Sequence, residues 1–113
     1  MNFPKWPFGQ VKRLTPTIVE MASVAGVIIG NGLTVLKTPV LAAAQTLNVS
    51  PSREIEEGSM LLVQHTTNGT ETLTFGTNID GPATAGVAGK TFNTLFIYLD
   101  GRFVQASARV QID

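Results

Sequence analysis

Apolar residues in this chain come in runs too short, and too often broken by Gly, Asn and Pro, to build long helices. From Thr15 onward Val, Ile and Phe recur among abundant Thr, the texture of strands on a pleated, half-buried surface. Strands are expected at 17–22, 27–29, 33–36, 45–49, 59–66, 71–76, 91–99 and 103–110. Two stretches, 21–32 and 40–47, hold enough Ala for a helical turn, although Gly26, Gly30 and Gly32 oppose anything longer. Short strands with regular turn signals indicate an all-β fold, read here as an antiparallel β-sandwich or jelly roll.

Two turns carry specific chemistry. Asn68-Gly69 lies between Met60–Thr66 and the run 71–75, and Asn-Gly supplies the two positive-φ positions of a type I′ hairpin. Asp100-Gly101 offers the same between the runs 92–99 and 103–110. The strand at 92–99 is apolar on both faces: Phe92, Thr94, Phe96 and Tyr98 alternate with Leu95, Ile97 and Leu99. Such a strand is buried on both sides or covered by a partner.

Composition narrows the function classes. The 113 residues are 14% charged, and the 8 basic and 8 acidic residues cancel. An ordinary soluble domain is about 25% charged, so this surface suits packed partners, and nothing in it argues for nucleic acid. With no cysteine, disulfides, thiolate metal sites and cysteine nucleophiles are excluded. The longest uninterrupted candidate for a membrane span, Val24 to Ile29, is far too short. Three of the acids crowd into Glu54, Glu56 and Glu57 before a strand, and Asp80 and Asp100 each precede a turn glycine, so no paired-carboxylate catalyst is expected. His65 shares a strand face with Leu61 and Val63 and reads as a hydrogen-bonded structural residue; convergence of three copies on an ion in a symmetric oligomer is the alternative. Gly30-Asn31-Gly32 lacks the lysine and the third glycine of a phosphate loop, and the segment 76–82 does not match an EF-hand. No catalytic residue, cofactor or metal is assigned, and the chain is not read as an enzyme.

Residues 1–14 differ from the rest. Lys5, Lys12 and Arg13 make them basic, Pro4 and Pro7 favour an extended path, and Phe3, Trp6 and Phe8 are costly to leave in water. The domain expectation is an extended anchoring arm at 1–14 and a β-domain at 15–113, with Phe3, Trp6, Phe8, Lys12 and Arg13 as the partner-binding set; a tail folded back over the chain's own core is the alternative. The first eight residues lack the apolar stretch of a secretory signal, which suggests assembly in the cytosol.

The stretch from Leu62 through Thr74-Phe75-Gly76 to Gly81-Pro82, the small-residue loop 83–90, and the aromatic-x-x-Asp-Gly segment Tyr98-Leu99-Asp100-Gly101 resemble a pattern in bacteriophage head-fibre, capsid decoration and tail-fibre tip domains. That resemblance implies a homotrimeric β-sandwich knob on a virion surface, made in the host cytoplasm and held to the major capsid protein or another virion component by the arm. The trimer contact is then expected at Phe92, Phe96 and Tyr98. No shaft repeat is present, which favours a short decoration or head-fibre knob over a complete fibre. The alternative is a carbohydrate- or host-surface-binding module, with Tyr98 or Phe103 as the aromatic platform for a glycan.

Overall fold

The computed structural model describes residues 17–20 and 26–113. The expected arm, with Phe3, Trp6, Phe8, Lys12 and Arg13, lies outside the described residues. Within them the fold is all-β, with no helix. The strands are β1 Thr17–Glu20, β2 Val27–Ile29, β3 Leu33–Lys37, β4 Gln45–Leu47, β5 Val49–Pro51, β6 Met60–Thr66, β7 Thr72–Phe75, β8 Ile79–Asp80, β9 Thr84–Ala85, β10 Thr91–Leu99, β11 Arg102–Gln105 and β12 Val110–Gln111. The run 40–47, a possible helical turn by composition, instead enters an isolated bridge at Leu41 and then β4.

The strands do not meander as antiparallel neighbours. The chain makes one circuit through β2, β3, a bridge at Leu41 and β4, then a second through β5, β6, Thr67 and β7. Each element of the second circuit stacks in parallel on its counterpart: β5 on β2, β6 on β3, Thr67 on Leu41, and β7 on β4. This is the winding of a short β-solenoid. It ends where the chain reverses: β10 runs antiparallel to β6 over Thr91–Ile97, and β11 and β12 pair antiparallel with the far edge of β10. The largest sheet reads β1-β3-β6-β10-β11-β8, with β12 attached to β10. All-β is therefore the class, but the sheets are mixed, and the expected antiparallel sandwich gives way to stacked circuits closed by a hairpin.

The core follows the strand period. Leu61 and Val63 of β6 point inward with Leu36 of β3, Phe96 of β10 and Phe103 of β11, and meet Ile29, Leu47, Val49, Leu73, Phe75 and Ile79 from the other walls. Inward positions line up across the sheet by register: Val19, Leu36, Val63 and Thr94 form one row, and Thr34, Leu61, Phe96 and Gln105 the next. Phe75 meets Phe96 edge-on at 4.8 Å between ring centroids, a favoured aromatic geometry.

The two expected hairpins come apart here. Asp100 and Gly101 have φ of 55° and 89°, and Leu99 pairs with Arg102 across them, as a type I′ turn requires. Asn68-Gly69 is no such turn, because neither residue has positive φ. It is a corner of the solenoid. Asn68 N–H donates to Leu41 O at 2.9 Å, Thr67 Oγ1 donates to Gly69 O at 2.7 Å, and Gly69 N–H donates to Glu71 Oε1 at 2.6 Å. These bonds send β7 to a different sheet from β6. Parallel partners a full circuit away outcompeted the local pairing.

Thr67 is fully buried and bridges Leu41 on one side and Ala88 on the other. Gly86 packs against it so closely that an added Cβ would fall 2.6 Å from Thr67 Cγ2. Gly86→Ala is expected to destabilise the chain by about 1–3 kcal/mol in urea unfolding, the usual cost of overpacking. Gly30→Ala is the control: its added Cβ meets nothing within 4 Å, and its midpoint is expected to stay close to that of the parent.

Candidate functional site

Several of the carboxylates are occupied in structure. Asp80 pairs with Arg102 Nε at 2.6 Å. Glu57 accepts from Asp100 N–H at 2.9 Å, and Asp113 from Thr91 N–H at 2.7 Å. Among the described residues no group of three or more His, Cys, Asp or Glu side chains is placed to hold a metal ion. A shallow depression of about 400 Å³ is lined by Ile28, Ser50, Pro51, Ser52, Arg53 and Glu54. Its one carboxylate offers no partner for acid–base chemistry of the two-carboxylate kind.

His65 is 1% exposed, so it is spent inside its own chain, where three copies cannot bring it together on an ion. The hydrogen bond expected for it is also missing: neither ring nitrogen has a partner, and the buried hydroxyls of Thr84 and Thr94 are likewise unpaired. Burial, and then the nearby Arg109 charge, lower its pKa from 6.5 to about 4. It is a neutral ring at neutral pH.

The outer face of the main sheet is the candidate functional surface. Because side chains alternate along strands, each inward row has an outward neighbour, and on this sheet the outward rows are apolar. Ile18, Val35, Leu62 and Leu95 form one row across β1, β3, β6 and β10. Leu33, Met60, Ile97 and Val104 form the next, across β3, β6, β10 and β11. Ile18 is 59% exposed, the other seven are half-buried, and none of the eight belongs to the buried core. Polar groups flank the rows, and several of them are satisfied within the chain. Gln64 Nε2 donates to Asn93 Oδ1 at 3.2 Å, the Thr66 and Thr91 hydroxyls lie 2.7 Å apart, and Asp80 holds Arg102. An apolar centre with a polar border is the anatomy of a protein–protein contact.

The residues expected at the trimer contact lie on the opposite face. Phe96 is fully buried and Phe92 is 4% exposed, while Tyr98 packs on the core with its ring 5.3 Å from that of Phe103. These aromatics fill the chain's own interior because β10 directs them into the solenoid. Phe103 is fully buried as well, so it presents no ring to a glycan. What the sequence reading missed is the ladder. Leu95 and Ile97 were legible as the second apolar face of one strand, but Val35, Leu62, Met60 and Val104 join them only through pairings that no local pattern encodes.

No family model, curated protein or solved structure matches the chain.

The two faces predict different mutational costs. Leu62→Lys and Ile97→Lys are expected to leave the chain folded and to cost the single chain no more than about 1 kcal/mol each, since both are partly in water there. Leu61→Lys, one residue along β6 and fully buried, is expected to cost more than about 4 kcal/mol or abolish folding, because it buries an unpaired charge. Urea titration followed by far-UV circular dichroism separates the two.

Proposed function

We propose that this chain is a structural, non-enzymatic virion protein: a homotrimeric capsid decoration or head-fibre knob whose β-domain assembles through the outer face of its main sheet. The observation carrying the reading is the apolar ladder of Val35, Leu62 and Leu95 beside Leu33, Met60, Ile97 and Val104. Its occupant is a further copy of the same chain. The flanking amides, hydroxyls and ion pair are already satisfied internally and Lys37 stands at the border beside Gln64, so over the centre of the face a covering surface needs only to be apolar and flat. The face itself supplies that. Three copies turning it toward a common three-fold axis enclose it, and each apolar Å² covered contributes roughly 25 cal/mol. The arm carrying Phe3, Trp6, Phe8, Lys12 and Arg13 is then the capsid attachment, with three arms adding avidity.

A glycan-binding module is the weaker reading, because of its candidate platforms Phe103 is buried in the core and Tyr98 is half-buried against it.

Light scattering after size exclusion is expected to return three times the 12.0 kDa chain mass for the parent, and a single chain mass for the folded double variant Leu62→Lys/Ile97→Lys. A parent that runs at one chain mass removes the assembly reading; twice the chain mass keeps the face and replaces the trimer with a two-fold pair. Separately, Trp6→Ala/Phe8→Ala is expected to abolish sedimentation with capsids while leaving the circular dichroism spectrum unchanged. Unaltered co-sedimentation removes the anchor.

A further inference from the structure

The buried imidazole and the C-terminal segment belong to one device. His65 stacks on Phe92, with ring centroids 5.6 Å apart and planes at 26°. Over the Phe92 ring lies the guanidinium of Arg109, 4.0 Å from the centroid, and Arg109 Nη1 donates to Ala85 O at 2.5 Å. Arg109 therefore clamps the segment 106–113 onto the loop that carries β9 and onto the ring that covers His65. The rest of the attachment is thin. Ala106 N–H donates to Leu95 O at 2.8 Å where the segment starts, β12 pairs only Val110 and Gln111 with Asn93 and Phe92, Ile112 N–H donates to Thr91 O at 3.0 Å, and Asp113 accepts from Thr91 N–H. Val110 and Ile112 are 57% and 52% exposed, so little apolar burial holds the segment down. Segments of this kind open first.

We propose that residues 106–113 form an acid-released latch: protonation of His65 expels Arg109 from Phe92 and frees β12 from β10.

The physical reason is the mismatch between a charged ring and its surroundings. Both ring nitrogens are buried without a partner in the chain, so an imidazolium there has no protein acceptor, and burying such a charge is costly. The charge acting on it is the like charge of Arg109. Other charged groups on the packed elements are turned elsewhere. Lys37 of β3 pairs in register with Gln64 and so shares the outward face, Glu71 binds Gly69 N–H, and Asp113 binds Thr91 N–H. Lifting the segment away relieves both penalties: it removes the like charge and lets water reach the ring. Cation–π attraction at Phe92 opposes release only weakly, at about 0.5–2 kcal/mol.

The sign follows from linkage. His65 is neutral when latched, with its pKa at about 4 against 6.5 when free, so the released state binds more protons between these values. The latch is at full strength above pH 6.5, weakens below it by at most tenfold per pH unit, and levels off near pH 4, a total of up to about 300-fold in the limit where release exposes the ring fully.

Amide hydrogen exchange of the full chain tests this. The protection factor of Ile112 is expected to fall at least tenfold, and by no more than that limit, between pH 6.5 and 4 while the protein stays folded and Tyr98, whose N–H donates to Ser59 O, remains better protected than Ile112 throughout. In His65→Phe the Ile112 protection factor is expected to be flat across the window. In Arg109→Gln, which removes both the like charge and the clamp, the ring titration of His65, read by NMR chemical shift, is expected to move upward. Ile112 protection that stays flat in the parent while that of Tyr98 falls overturns the proposal, because His65 then meets water only on global unfolding. An unchanged pH slope in His65→Phe overturns it too.

Discussion

Everything in this domain depends on the pairing of β6. Its seven residues, Met60–Thr66, have both edges filled, by β3 in parallel and by β10 in antiparallel. The parallel edge stacks one circuit of the solenoid on the other; the antiparallel edge stops the winding. One strand thus sets both the repeat and its termination. It also sets the two faces. Leu61, Val63 and His65 look inward, while Met60, Leu62 and Gln64 look out, so any slip of one residue would exchange core for surface.

That division separates stability from interaction. Inward aromatics from β10 and β11 close the interior, and two of the three residues expected to join copies together, Phe92 and Phe96, are consumed there. The outward rows are free of that duty yet remain apolar. A chain that needed only a core would be expected to place Lys, Glu or Thr at Val35, Leu62 and Leu95, since an antiparallel or mixed sheet facing water usually alternates apolar with polar. Retaining apolar side chains on both faces of three adjacent strands is the feature that the assembly reading explains.

His65 is the exception to an otherwise apolar inner row of β6. Its ring fills volume against Phe92 as a neutral aromatic, and it serves the core well in that form. Its cost rises when a proton is added, and that added cost falls on the segment held by Arg109. A polar group buried without partners is in this sense a defect that deepens once it titrates.

The sequence by itself determined the class and the local conformations. Short Thr- and Val-rich runs ruled out long helices, the period of two separated inward from outward positions in Met60–Thr66 and Thr91–Leu99, and Asp100-Gly101 could make its tight turn because both residues reach positive φ from local chemistry alone. What only the tertiary structure decided was which strands meet. Asn68-Gly69 carried the same local signal as Asp100-Gly101, yet it became a corner, because Thr67 found parallel partners at Leu41 and Ala88. The apolar ladder on the outer face and the contact between His65, Phe92 and Arg109 have the same origin. The period of two says only that alternate residues share a face, and so fits a hairpin and a solenoid equally. The choice between them rests on packing between segments distant in the chain, and no window of sequence contains it.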